Sequence, residues 1–200
     1  MDETAKAQAQ AETRHRLANL LQLLTTLGRM RASRATDPET RRQLNWVVEM
    51  IGALALQQQK FLSPGGEDFS MFINEMEPNW RRRCNGRPVS LQVLAEPTPA
   101  HDQQASALAV IVNELVANAL AHAFPDGRSG QVRVELKRLA EDKAAITIED
   151  DGVGYDPDGV DASKLGLWLV KGLAEHVRGT LSIECAPGVR CRLEFPVTRV

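Results

Sequence analysis

The run Ala105–Ala123 carries Glu114, Asn118 and His122 at steps of four, opposite a stripe of Leu108, Ile111, Val112, Leu115 and Ala119. Such a row is ordinary decoration on a solvated helix face. It is also a donor set, because an amide oxygen beside a carboxylate suits Mg2+, a hard cation that takes oxygen ligands and keeps several waters. Further on, Asp150-Asp151-Gly152-Val153-Gly154 follows an apolar alternation. Glycines there let the backbone approach a flat ligand, and the aspartate can accept from an exocyclic amine. The plainer reading is a tight turn with acidic decoration. Lys164-Leu165-Gly166-Leu167 then opens a helix whose free N–H groups can receive phosphate oxygens. Near the start of the chain, T-R-H-R-L-A-N-L-L-Q (Thr13–Gln22) puts His15 between two arginines. With Leu17, Leu20, Leu24 and Leu27 as heptad positions a and d, His15 falls at f and Asn19 at c, on one shared outer face.

These residues need elements to position them. Residues from about Thr4 to Arg34 read as one helix with that leucine seam. Asp37-Pro38-Glu39 predicts the start of a second, with a cap, a first-turn proline and an acid at the positive helix end. Its stripe of Leu44, Val47, Ile51, Leu54 and Phe61, with Val48, Ala55 and Leu62 beside it, is too broad for one helical pair to cover. A homodimer of hairpins, a four-helix bundle, is the natural solution. Ser63-Pro64-Gly65-Gly66 reads as a linker. We therefore divide the chain into a helical hairpin over 1–63 and a second domain over 67–200. In the second, helices are predicted over Phe69–Arg83, Ala105–Ala123 and Leu165–Val177, and strands at Val89–Leu94, Val132–Leu136, Ala144–Ile148, Leu181–Cys185 and Cys191–Phe195. That pattern is an α+β sandwich with a mixed, largely antiparallel sheet. Both cysteines of the last hairpin, Cys185 and Cys191, are expected on its core face as buried thiols.

The chain has 200 residues, 43% apolar and 25% charged, with a formal net charge of −2. This balance gives no electrostatic reason for a nucleic-acid or anionic-membrane partner, and no apolar run approaches the ~20 residues that span a bilayer. The first residues lack the apolar stretch of a secretory signal. Three cysteines without C-x-x-C spacing argue against a disulfide scaffold or a zinc site and for a reducing compartment. The expectation is a cytoplasmic protein without nucleic-acid or membrane partners. Any signal would then arrive through a separate soluble sensor or activator.

Four stretches together resemble a family: E-T-R-H-R-L-A-N-L-L-Q (Glu12–Gln22), V-N-E-L-V-A-N-A-L-A-H-A-F-P-D-G-R (Val112–Arg128), E-D-D-G-V-G-Y (Glu149–Tyr155) and K-L-G-L-W-L-V (Lys164–Val170). The chain resembles the sensor histidine kinases of the HWE / HisKA_2 (H-R-x-x-N) group, from about Glu12 to Pro196. The resemblance implies a dimerisation and phosphotransfer hairpin joined to a Bergerat-type (GHKL) ATP-binding domain. It makes His15 the phosphoacceptor, in the H-R-x-x-N motif with Arg16 and Asn19, and makes Asn118 the Mg2+ ligand with Glu114 beside it. Asp150 would contact the adenine amino group, with Gly152 and Gly154 shaping that pocket. Gly166 would flank the phosphates of ATP at the end of a short lid, roughly Tyr155 to Lys164, with Lys164 and Leu167 also on the nucleotide. The partner would be a response-regulator receiver domain.

Many histidine kinases carry an acid directly after the histidine; here Arg16 stands there, and the resemblance implies that Glu12, one turn earlier and at the position of an acid common in this group, would orient the ring through its second nitrogen. Two lysines usual in the group are Ala18 and Ala121 here, which removes cations from phosphate binding. His122 is a candidate to replace the second in part. An alternative reading is therefore a histidine phosphotransferase that keeps the fold and takes its phosphoryl group from a regulator. A third is a binding protein on a related ATPase fold, which would not need an exposed His15. His101 and His176 read as surface or helix-end residues, the three tryptophans as packing, and Arg81-Arg82-Arg83 as a solvated helix end.

Overall fold

The computed structural model describes residues 3–60, 68–154, 164–185 and 187–197. The linker Ser63–Gly66 and the lid residues 155–163 lie outside them. The chain forms two compact units, Met1–Gly66 and Glu67–Val200.

The first unit is a hairpin of α1 (Glu3–Arg34) and α2 (Pro38–Lys60). The turn is fixed by Asp37, whose Oδ2 accepts from the Thr40 backbone N–H and hydroxyl at 2.7 Å each. These bonds hold the Asp37 carboxyl below its ordinary pKa. Among the described residues of α1, Ala18, Thr25 and Ala32 are buried, on one face with Gly28, where a Cβ would meet Val48 of α2. Small residues let the two helices approach closely. The leucine seam is not this face: Leu17, Leu20, Leu24 and Leu27 remain 43–57% exposed, alongside Leu23, Met30 and Val47. Periodicity identifies an apolar stripe, but not which neighbour covers it.

The second unit is an α+β sandwich. Its elements run α3 (Phe69–Cys84), β1 (Val89–Ala95), α4 (Asp102–His122), β2 (Gly130–Ala140), β3 (Lys143–Asp150), α5 (Lys164–His176), β4 (Thr180–Cys185) and β5 (Val189–Pro196). The sheet order is β1-β2-β3-β5-β4; β1 runs parallel to β2, and the other pairs are antiparallel. Val132, Val134 and Leu136 alternate inward from β2, and Ile146, Ile148, Leu193 and Phe195 continue the buried layer. The helices cover this face. Trp80 of α3 is fully buried and donates its Nε1–H to Asn113 Oδ1 of α4 at 3.3 Å. Against the expectation that no apolar run approaches a bilayer-spanning length, α4 is long and apolar enough, alone among the described helices, but most of its apolar window is buried in the sandwich. His101 caps its N-terminus, with Nδ1 accepting from the Gln104 N–H at 3.3 Å. His176 ends α5, and Arg81, Arg82 and Arg83 end α3 in solvent.

Two expectations need correction. Cys191 is buried, but Cys185 is exposed: it pairs with Val189 at the open end of edge strand β4, while Ile183 faces Cys191. Alternation holds in β4, but the cover over its face stops before its last residue. Trp168 is not a packing residue; it is 71% exposed on the outer side of α5, whose inner face is Val170 and Ala174.

Candidate functional site

Between α4, α5 and the sheet lies a cavity of about 300 Å3. Its walls are mainly apolar, from Leu115, Ala119, Ile148, Val153, Leu167 and Ile183 among others, with Asn118, His122 and Asp150 as polar groups. An apolar slot with a few convergent polar groups is the usual form of a small-molecule site.

Asp150, the last residue of β3, is 6% exposed. Its Oδ1 accepts from the backbone N–H of Gly152 at 3.0 Å and of Val189 at 3.3 Å. These two donors lower the carboxyl's pKa, but burial outweighs them and pushes it up. A buried carboxylate with one oxygen committed to the backbone is poised to take a ligand donor on the other. Two glycines make room for this arrangement. A Cβ on Gly152 would stand 2.3 Å from the Ala123 carbonyl, and the next residue, Val153, donates its N–H to that same oxygen at 3.0 Å. Gly188, in the β4–β5 turn, has φ +82°, and a Cβ there would stand 2.0 Å from the Asp150 carbonyl oxygen. Gly188→Ala should therefore cost about 2 kcal/mol or more, from backbone strain and from overlap with an atom that cannot yield. Thermal melting checks the loss, and an unchanged melting temperature would contradict it.

At the other polar corner, Glu114 is 2% exposed and accepts from Asn118 Nδ2 at 3.2 Å. That bond orients the amide, so its oxygen is the atom offered outward. The first turn of α5 lies against this carboxylate: a Cβ on Gly166 would fall 1.8 Å from Glu114 Oε1. A helix N-terminus is a favourable neighbour for a buried acid. The donor chemistry thus fits a hard cation held by one amide oxygen together with ligand oxygens and water. Among the described residues no cluster of three histidines, cysteines or acids would hold a metal by itself.

The sequence-predicted residues divide accordingly. Asn118, His122, Asp150, Gly154 and Leu167 line the cavity. Glu114, Gly152 and Gly166 are not among its lining residues, and a Cβ on Gly166 would meet Glu114. Lys164 begins α5, but its side chain is outside the described residues. His15 belongs to α1, and its side chain is likewise outside them. Glu12 and Arg16 form an exposed pair, with Nη2 donating to Oε1 at 2.6 Å, and Asn19 is exposed on the same helix. Sequence reasoning missed Gly188 and the apolar lining from β5. Burial, with Cys185 and Asp150 nearby, pushes the Cys191 thiol up to about 12, so it stays protonated. Only the alternation of β5 and the Pro187-Gly188 pair hinted at this wall.

Residues 103–199 match the model of the histidine kinase-, DNA gyrase B- and HSP90-like ATPases. The match covers just under half of the chain, all of it within the second unit. Across 94% of the chain, the sensor histidine kinase PdtaS of Mycobacterium tuberculosis is 29% identical, and blue-light-activated histidine kinase 2 of Erythrobacter litoralis is 26% identical. The chain spans 39% and 57% of the length of these two relatives. The solved histidine kinase domain of the Erythrobacter litoralis EL346 blue-light-activated kinase superposes with a TM-score of 0.70 at 19% identity, covering 92% of this chain and 96% of that one. At that identity the likeness is one of fold.

Proposed function

We propose that the chain is the core of a sensor histidine kinase of the HWE / HisKA_2 group. It binds Mg-ATP in the cavity, phosphorylates His15 and passes the phosphoryl group to a response-regulator aspartate. The observation that carries this is the pairing, on one apolar cavity, of a buried carboxylate with an outward-turned amide oxygen. Asp150 accepts the adenine amino group, and the apolar walls keep water from the base. Asn118, held by Glu114, supplies the oxygen for Mg2+, which when bound neutralises triphosphate charge. The neutral imidazole of His15 attacks the γ-phosphorus; an N–P bond forms, ADP leaves with the P–O electron pair, and the ring proton passes to solvent. Glu12 orients the ring once released from Arg16, an exchange that is easy because the pair is solvated. Catalysis is mainly positioning and charge neutralisation. The exposed leucine seam supports dimerisation with a second copy.

One observation favours the phosphotransferase reading: no lysine or arginine is among the described residues lining the cavity, and Ala18 and Ala121 stand where the group has lysine. Radiolabel separates the two. Label from ATP on the wild type supports the kinase. Label arriving only from a phosphorylated receiver domain overturns it in favour of the phosphotransferase.

A further inference from the structure

Arg87 lies in the α3–β1 loop and is not among the residues lining the cavity. Its guanidinium is half-buried and reaches the C-terminal end of α4, where Nη1 donates to the Leu120 carbonyl at 2.6 Å and Nη2 to the Phe124 carbonyl at 3.3 Å. Carbonyls at a helix C-terminus lack partners within the helix, and a cation there is favourable. The stretch these bonds pin, 120–124, contains His122 and Ala123 of the cavity wall. The Ala123 carbonyl is the acceptor for the Val153 N–H, and Gly152 lies against it. The next residue, Pro88, accepts from the Gly130 N–H at 3.1 Å, tying the same loop to the start of β2.

We infer that Arg87 is a positioning residue for the nucleotide cavity, an inference that rests on the nucleotide reading above. Its planar fork fixes the α4 terminus at two points, and the Ala123 carbonyl then sets the loop that follows Asp150. A lysine keeps the charge but cannot bridge two carbonyls in one plane.

The test compares the wild-type chain, Arg87→Met and Arg87→Lys. One readout is Mg-ATP affinity by calorimetry, well below melting. The other is amide hydrogen exchange of Val153 relative to Ile146 in the core strand. Arg87→Met should raise Kd at least about tenfold, Arg87→Lys roughly threefold, and Val153 should exchange about tenfold faster relative to Ile146. Ile73→Val, a core change in α3, should lower the melting temperature and leave both readouts alone. A merely structural arginine would behave like Ile73: a Kd within about twofold of wild type, or Val153 and Ile146 accelerated in parallel, overturns the proposal. Should Arg87→Met fail to fold, Arg87→Lys decides by the same criteria. Wild type that binds no Mg-ATP would sink the nucleotide reading, and the Val153 to Ile146 ratio alone would then decide whether Arg87 holds the wall.

Discussion

Asp150→Asn should weaken Mg-ATP binding by about 100-fold or more, some 2.7 kcal/mol, while the protein stays folded. Asparagine keeps an oxygen for the Gly152 and Val189 N–H groups, so the loop retains its anchor. The other position becomes an NH2, and a donor then faces the adenine amino group. A ligand with a carbonyl at that place suffers less, so preference for ATP over GTP should narrow. Stability should not explain the loss. Burial raises the Asp150 pKa above 3.8, so the folded state favours the proton. Stability is therefore lost as pH rises from the unfolded value through the folded one, and at neutral pH the charge is a cost. Removing it should hold or raise the melting temperature. In the wild type, affinity for ATP should fall on acidification at a pH above the ordinary carboxylate range, because the carboxylate is the acceptor. Calorimetry of both proteins across pH checks each point; an Asp150→Asn protein that binds ATP like wild type contradicts them.

His15→Ala should remove acid-labile label from ATP, by at least about 100-fold in rate, with nucleotide affinity unchanged. The imidazole is the natural acceptor because its ordinary pKa, about 6.5, leaves much of it neutral near pH 7. Three other histidines serve as internal controls. His101 is engaged as a cap, His176 ends a helix, and His122 lines the cavity. Label surviving in His15→Ala and lost in His122→Ala would move the acceptor to the nucleotide helix and break the account of the hairpin.

Much of the second unit was legible because its elements carry strong periods. The apolar stripe of α4 and the alternation of β2, β3 and β5 each recur in the structure near the expected bounds. Three things were not legible, each for a physical reason. The leucine seam of α1 marked an apolar face, but Ala18, Thr25 and Ala32 take the α2 contact, since close helix approach selects small side chains and a 3.6-residue period cannot rank two neighbouring stripes. Cys185 kept the alternation and lost burial, because burial at a strand's end depends on what covers it. Arg87 carried no motif at all, since a cap on a distant helix leaves no periodic mark.

The central claim is that the space between α4 and the end of β3 receives an adenine nucleotide, and backbone amide shifts on titration with Mg-ATP test it most directly. The account predicts saturable shifts concentrated at Asn118, Asp150, Val153, Leu167 and Cys191, absent in Asp150→Asn and weaker with Mg-GTP. Shifts that saturate elsewhere, or none at millimolar nucleotide, would contradict it.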